Sequence, residues 1–416
     1  MFHDRGGELF VDELPLATIA DRFPTPFYVY SATALRAAYR ALAGALPDGT
    51  EVLFSIKANS NPHIAVVFRE LGAGAEVASL GELAIARRAG FAPANVAFAG
   101  PGKSRDELDA AVEAGLGCVN VESVAEARRL SALASERQRD CTVCLRINPR
   151  TRNPEARQQM GGHAVPFGVD EEQAAAALAD IDRLPRVQLA GIHLYVGTQV
   201  LDAAAAASTI ATAVDMTALF EQALGRPPGL VAIGPGLGVP LFAGEQPLDL
   251  DRFRTEAHAA IARRPAGSRI TIEAGRFLCA EAGAYIATVL DLKESRGQRF
   301  AVLDGGLHHH AAAAGSFGNF FRKAFPIRTV RATSSSPVPV TLVGPCCTPL
   351  DRLVERLPLG DLSIGDRVAV LASGAYGYSA SPLLFLSHAA PAELLVDGTH
   401  VAQIRAPFAT ANLFVD

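Results

Sequence analysis

Apolar and polar positions along this chain fall into short blocks that switch between a two-residue and a 3.6-residue period. Apolar β-type runs lie at Val52–Lys57, Ala75–Ser79, Val96–Gly100, Cys118–Glu122, Thr142–Asn148, Leu189–Val196, Leu230–Gly234 and Arg269–Glu273. Helical patterns separate them at Pro62–Leu71, Gly81–Ala89, Arg105–Ala114, Val124–Arg137, Glu171–Leu184, Ser208–Leu224 and Leu250–Arg263, and one further helix, Ala32–Leu46, precedes the first run. Strands alternating with helices imply right-handed crossovers and a parallel sheet. Eight such units predict a closed (β/α)8 TIM-type barrel, with a doubly wound open sheet as the rival.

The rhythm changes after about Arg276. Tyr285–Leu292, Phe300–Leu303, Val338–Val343, Arg367–Leu371, Ala392–Val396 and His400–Ile404 read as strands without regular helices between them. They predict a C-terminal antiparallel β domain, to which the opening run Glu8–Val11 adds a strand. The expected division is a barrel over residues 28–268 and a β domain from 1–27 and 269–416.

Composition narrows the class. A chain of 416 residues, 49% hydrophobic, 19% charged and with a net charge of -5, describes a globular protein with a large core and no basic field for nucleic acid. Met1-Phe2-His3-Asp4-Arg5 lacks the layout of a signal peptide, and apolar stretches such as Ala203 to Ala207 are too short to span a bilayer. A cytoplasmic protein without membrane association is expected. Cys141 and Cys144 have zinc-like spacing but lie inside a β run with no second pair following, and three adjacent histidines, His308 to His310, cannot all face one ion. No metal site is expected, and those histidines are expected in a loop or interface.

The candidate chemistry sits at the ends of the barrel strands, where such folds gather catalytic groups. Lys57 ends the first run. Strand alternation would place it on the face of Leu53 and Ser55, opposite Val52, Phe54 and Ile56, so that it enters the interior as a desolvated amine nucleophile; a lysine reaching solvent from a strand terminus is the other reading. His193-Leu194-Tyr195-Val196-Gly197-Thr198-Gln199 follows the sixth run, Gly234-Pro235-Gly236-Leu237-Gly238 the seventh, and Glu273-Ala274-Gly275-Arg276 the eighth. Glycines admit an anion to backbone amides, and Thr198 and Arg276 would add donors to a phosphate, although the same turn serves as an ordinary strand-to-helix connection. A lysine, a phosphate cradle and a carboxylate together suggest pyridoxal phosphate, with Glu273 keeping the pyridine nitrogen protonated.

These motifs, in order with Gly344-Pro345-Cys346-Cys347 and Gly374-Ala375-Tyr376, resemble the fold type III pyridoxal-phosphate decarboxylases, the ornithine and diaminopimelate decarboxylase group. The resemblance implies that Lys57 bonds the cofactor aldehyde and Glu273 partners the pyridinium. It places His193, Tyr195, Thr198, Gly234, Gly236, Gly238, Arg276 and Tyr376 around the cofactor. Cys347 would be the acid that protonates Cα after carbon dioxide leaves, donated across a homodimer by the partner subunit. Away from that context Cys347 reads as a buried thiol and Tyr376 as a core aromatic. Asp304 falls where the family often places a residue near the substrate, or is a turn aspartate.

Three departures follow. Tyr195 stands where the family has a ring-stacking histidine, Pro235 and Ala274 replace a glycine and a proline of its motifs, and Thr348 follows Cys347 where diamino-acid decarboxylases carry an acid. A distal ammonium without that countercharge costs on the order of 3–5 kcal/mol. The pattern Gly344-Pro345-Cys346-Cys347-Thr348-Pro349-Leu350-Asp351, with Ser379-Ala380-Ser381-Pro382 and Phe385-Leu386-Ser387-His388, resembles the branch associated with exosortase systems or with amino-acyl units tethered to an acyl carrier protein. Glutamyl, aspartyl or methylaspartyl thioesters are the expected substrates, with free diaminopimelate as the alternative. The basic stretch from Phe321 to Arg331, including Arg322, is a docking candidate for an acidic carrier protein or a solvated charged loop.

Overall fold

The structure is a computed structural model that describes residues 1–315, 324–332 and 336–413. The chain divides into two compact units, residues 38–239 with 247–277, and residues 1–37 with 240–246 and 278–416.

The first unit is a closed parallel barrel. Its strands are β1 (Glu51–Ser55), β2 (Gly74–Val77), β3 (Val96–Phe98), β4 (Cys118–Val121), β5 (Cys141–Asn148), β6 (Val187–Tyr195), β7 (Leu230–Gly234) and β8 (Arg269–Ala274). Each pairs in parallel with the next, and β8 closes on β1 with Thr271 opposite Glu51 and Ala274 opposite Phe54. The helices begin where sequence chemistry says they should. Ser79, Ser104 and Ser123 each cap a helix N-terminus, Ser104 in a reciprocal capping box with Glu107, and left-handed Gly90 and Gly115 end two of them.

Inward side chains build the barrel core in layers. Leu53, Ala97, Cys118, Cys144 and Leu230 form an apolar plug. Two residues along, the same faces of β4 and β5 carry Asn120 and Arg146, both buried. Polar groups thus begin where the plug ends, toward the carboxyl ends of the strands. Gly191 of β6 lets the adjacent strand approach, since a Cβ there would meet Leu230 O at 1.7 Å. The apolar stretch Ala203–Leu224 is long and apolar enough to cross a membrane by length and composition, but it is two barrel helices, Ala203–Asp215 and Thr217–Leu224, and 56% of its window is buried.

The second unit is a sheet whose strands run Arg352–Leu359, Val338–Val343, Gln298–Leu303, Gly283–Ser295, Phe27–Ser31, Ala392–Asp397 and His400–Arg405; Arg367–Val370 also pairs with Gly283–Ser295, and Ile327–Thr329 pairs with Arg367–Val370.

Three expectations are corrected here. The sheet is mixed, because Gln298–Leu303 runs parallel to Val338–Val343, and Phe27–Ser31 parallel to Ala392–Asp397. The N-terminal strand at its centre is Phe27–Ser31, buried on both faces, whereas Glu8–Val11 joins a small sheet with Phe2–Arg5 and Leu14–Pro15. The expected boundaries at residues 28 and 268 therefore fail at both ends. Hydrogen-bond pairing assigns Phe27–Ser31 to the sheet unit and Arg269–Ala274 to the barrel.

Candidate active site

Lys57 does not continue β1. Residues Ile56–Ala58 form a 3-10 turn in which Ile56 and Ala58 are buried, so the strand-face argument breaks one residue before the lysine. Asn59 accepts from the amide of Asn61, and Asn61 caps the helix Pro62–Glu70 through His63 N, which fixes the exit of the turn. Lys57 Nζ then lies 2.8 Å from both oxygens of Glu76 on β2. Its side chain is 36% exposed while that of Glu76 is 1% exposed. The amine is thus a half-open group held by a buried carboxylate rather than a fully desolvated one. The Tyr195 ring, at the end of β6, lies with its centroid 5.7 Å from the same nitrogen.

Glu273, near the end of β8, is buried and receives two partners, His193 Nε2 at 3.2 Å and Asn120 Nδ2 at 3.4 Å. Burial alone would push its carboxyl up. His193, by charge and hydrogen bond, and then Lys57 and Arg146 outweigh that and hold it below the ordinary 4.5. His193 Nδ1 is buried without a hydrogen-bond partner among the described residues, and Nε2 carries the hydrogen that Glu273 accepts. A buried ion pair between Arg146 and Glu122, 2.9 Å apart, stands beside this group, and Glu122 also accepts from Gly168 N at 2.7 Å.

The glycine turn after β7 is packed so closely that only glycine fits. A Cβ on Gly234 would meet the Tyr195 ring at 1.9 Å, and one on Gly236, whose φ is +69°, would meet Gly197 O at 2.0 Å. Gly236 O accepts from Val200 N and Gly238 N donates to Val200 O, both at 2.9 Å, which zips the turn to the segment following β6. Thr198 belongs to that segment and pairs with Gln158 in a short ladder. Arg276 opens the short helix after Gly275, itself pressed against Ser55 and Ala58 of the lysine turn. One end of the barrel therefore brings together Lys57, His193, Tyr195, Thr198, Gly234, Gly236, Gly238, Glu273 and Arg276.

The remaining residues named from sequence lie on the sheet unit. Cys347 is the one exposed cysteine; the other five are buried. Its loop is held by buried Asp351, which accepts from Leu307 N at 2.6 Å and Cys346 N at 2.8 Å. Thr348 is half-buried, and its hydroxyl accepts from Leu350 N at 3.3 Å. Tyr376 has φ +56°, a left-handed conformation that costs a non-glycine residue about 1–3 kcal/mol and persists where the surroundings impose it. Asp304 turns its carboxylate to Thr25 Oγ1 and Thr288 N, which ties the strands of the sheet together; a substrate contact is not its visible task. Arg322 lies outside the described residues. In the rest of the basic stretch Phe325, Ile327 and Val330 are buried, and Arg331 pairs with Glu8 and Asp21. Ile327–Thr329 is a strand of the sheet unit, and Arg328 and Arg331 are exposed. His308, His309 and His310 lie in the loop that follows Gln298–Leu303, as expected, and are buried there.

The barrel site fits pyridoxal phosphate. An amine nucleophile beside an aromatic face, an ionised buried carboxylate with a hydrogen-bonded imidazole, and a glycine cradle without side chains are the three donor types that the group's aldehyde, ring nitrogen and phosphate require. Residues 32–280 match the pyridoxal-binding domain of pyridoxal-dependent decarboxylases. The chain belongs to that family. Its cofactor is pyridoxal 5'-phosphate, and it is a carbon-carbon lyase. The decarboxylase is 38% identical over 394 residues to an L-glutamyl-[BtrI acyl-carrier protein] decarboxylase of Niallia circulans, covering 92% of each chain. It is 33% identical to the diaminopimelate decarboxylase of Pseudomonas aeruginosa over 97% of this chain and 95% of that one. The structure of a diaminopimelate decarboxylase variant from Helicobacter pylori, complexed with L-lysine, superposes with a TM-score of 0.87 at 25% identity, covering 96% of this chain and 98% of that one.

Sequence reasoning missed Glu76, Asn120 and Arg146. The signal was there: each is a polar residue inside an otherwise apolar strand, at the position that alternation turns toward the barrel interior.

Proposed function

We propose that this decarboxylase removes the α-carboxylate of an acidic L-amino-acyl unit carried as a thioester on an acyl carrier protein, and that it works as a homodimer in the cytoplasm. The observation that carries the reading is Thr348, a neutral hydroxyl beside Cys347 that offers no charge to a distal ammonium. A thioester masks the distal carboxyl and leaves a neutral far end, for which threonine is an adequate neighbour. The relative from Niallia circulans, named for a carrier-protein substrate, supports the same choice.

When bound, pyridoxal phosphate supplies the electron sink that accepts the Cα electron pair as carbon dioxide leaves. Lys57 would hold the cofactor's aldehyde end, with Glu76 stabilising the charged state of its nitrogen. Glu273, ionised and oriented by His193 and Asn120, keeps the proton on the ring nitrogen. Tyr195 would cover the cofactor ring, and the glycine turn with Thr198 and Arg276 would hold the phosphate; the family resemblance gives Tyr376 the same task. Cys347, contributed by the partner subunit, gives its proton to Cα and fixes the product as an amine.

Purified enzyme incubated with glutamyl- and methylaspartyl-carrier protein, and separately with free diaminopimelate, tests the reading by mass spectrometry. Loss of carbon dioxide from the loaded carrier is expected. Turnover of the free diamino acid alone would replace this reading with the diaminopimelate one, which the Pseudomonas aeruginosa relative favours.

A further inference from the structure

The sheet unit contains a second constellation that the decarboxylation does not use. One imidazole nitrogen each from His308 and His388, and Cys346 Sγ, lie within 4.8 Å of one another. We propose that these three residues form a binding site for one thiophilic divalent cation, of which Zn2+ is the type.

The donor set selects the ion. Two imidazoles and a thiolate suit zinc, whereas magnesium and calcium require oxygen ligands. Tetrahedral zinc with bonds of about 2.0–2.3 Å sets its ligand atoms roughly 3.3–3.6 Å apart. His308 Nδ1 and Cys346 Sγ are already 3.1 Å apart, so closing the site requires only a small movement of His388, which is half-buried. The other two ligands are fixed in place. His308 is 0% exposed, and the loop carrying Cys346 is held by the Asp351 carboxylate between Gly306 and Gly344, where a Cβ would meet that carboxylate at 2.1 and 2.4 Å.

The cluster lies among buried polar groups. His308 Nε2 is buried with no hydrogen-bond partner among the described residues. Asp351 is 3% exposed, and no ion pair to it occurs among the described residues. Its carboxylate accepts from Leu307 N and Cys346 N, and a metal ion bound to the neighbouring thiolate would add a positive charge beside it. Binding converts the Cys346 thiol to a zinc-bound thiolate, its proton passing to solvent, with no redox change. His309 and His310 take no part, because their ring nitrogens are engaged by Tyr285 and Ala389 O, and by Ser373.

The test uses the full-length holoenzyme, dialysed against a chelator, equilibrated with Zn2+ and analysed for metal content and by zinc X-ray absorption. About one zinc per chain is expected, with one sulfur and two imidazole nitrogens in its coordination sphere. Affinity should fall at least tenfold in Cys346→Ser and in His388→Gln, and persist in Cys347→Ser. His388→Gln changes a half-exposed side chain and keeps the test open if Cys346→Ser does not fold. Equal zinc retention by the wild type and both ligand variants, a sphere of oxygen ligands only, or loss of zinc in Cys347→Ser would overturn the assignment.

Discussion

Glu76 places both carboxylate oxygens 2.8 Å from Lys57 Nζ, so the nitrogen that anchors the cofactor has a dedicated anion beneath it. The anion stabilises whichever nitrogen species is positively charged. Glu76→Gln keeps the shape and removes the charge. The spectroscopic pKa of the lysine-bound cofactor should fall by about 1 unit or more, with turnover reduced at high pH first. An unchanged titration of the visible absorbance in this variant would show that Glu76 has only a packing role.

Glu273 is the second carboxylate, and its behaviour with pH follows from its depressed pKa. The unfolded chain binds the proton at ordinary pH values near 4.5, the folded chain only below that. Its stabilising contribution is therefore complete above about 4.5 and disappears as the pH falls through the lower folded value. Denaturant melts of wild type and Glu273→Gln should differ most at neutral pH and converge under acid conditions. The same variant should retain the cofactor while losing about 10²-fold or more in kcat, because a neutral amide cannot hold the ring nitrogen protonated. Activity near wild type would contradict the role given to this carboxylate.

Thiol labelling separates Cys347 from the rest. It is exposed, while Cys118, Cys141, Cys144, Cys279 and Cys346 are buried. Burial pushes the Cys141 thiol up to about 11 and the Cys346 thiol up to about 12, so neither offers thiolate at neutral pH. Titration of the native enzyme with an aromatic disulfide should give one fast-reacting thiol per chain, absent in Cys347→Ser. Two or more fast thiols would mean that the loop held by Asp351 opens readily.

Asp351 itself is the next test. Asp351→Ala leaves the amides of Leu307 and Cys346 buried without acceptors, at a cost of about 1–3 kcal/mol for each. A lowered Tm is expected, together with a fall in kcat at nearly constant KM, since the variant misplaces Cys347 without touching the barrel. A fall confined to KM would detach the loop from proton donation.

Much of the barrel and its chemistry was legible because apolar period and residue type change together at strand ends. Lys57 was found by its position after an apolar run, yet its backbone was misread. The 3-10 turn is fixed by Asn59 and Asn61, whose side-chain hydrogen bonds override the strand alternation. Phe27–Ser31 was divided from its proper unit because its pairing partners, Gly283–Ser295 and Ala392–Asp397, are remote in sequence. The loop placement of His308 to His310 was legible in the sequence, but their burial was not. Burial was possible because Tyr285, Ser373 and Ala389 O supply partners that no local pattern reveals.

The position of Phe27–Ser31 has a consequence for how the protein is made. This strand is made before either of its sheet neighbours, and its five residues are all buried in the finished sheet. One neighbour, Gly283–Ser295, follows only after the whole barrel, and the other, Ala392–Asp397, later still. Until then a Phe-Tyr-Val-Tyr segment waits with both edges open, a natural client for a chaperone and a ready template for aggregation. Synthesis speed and chaperone supply should govern the yield of this enzyme more than its final stability does.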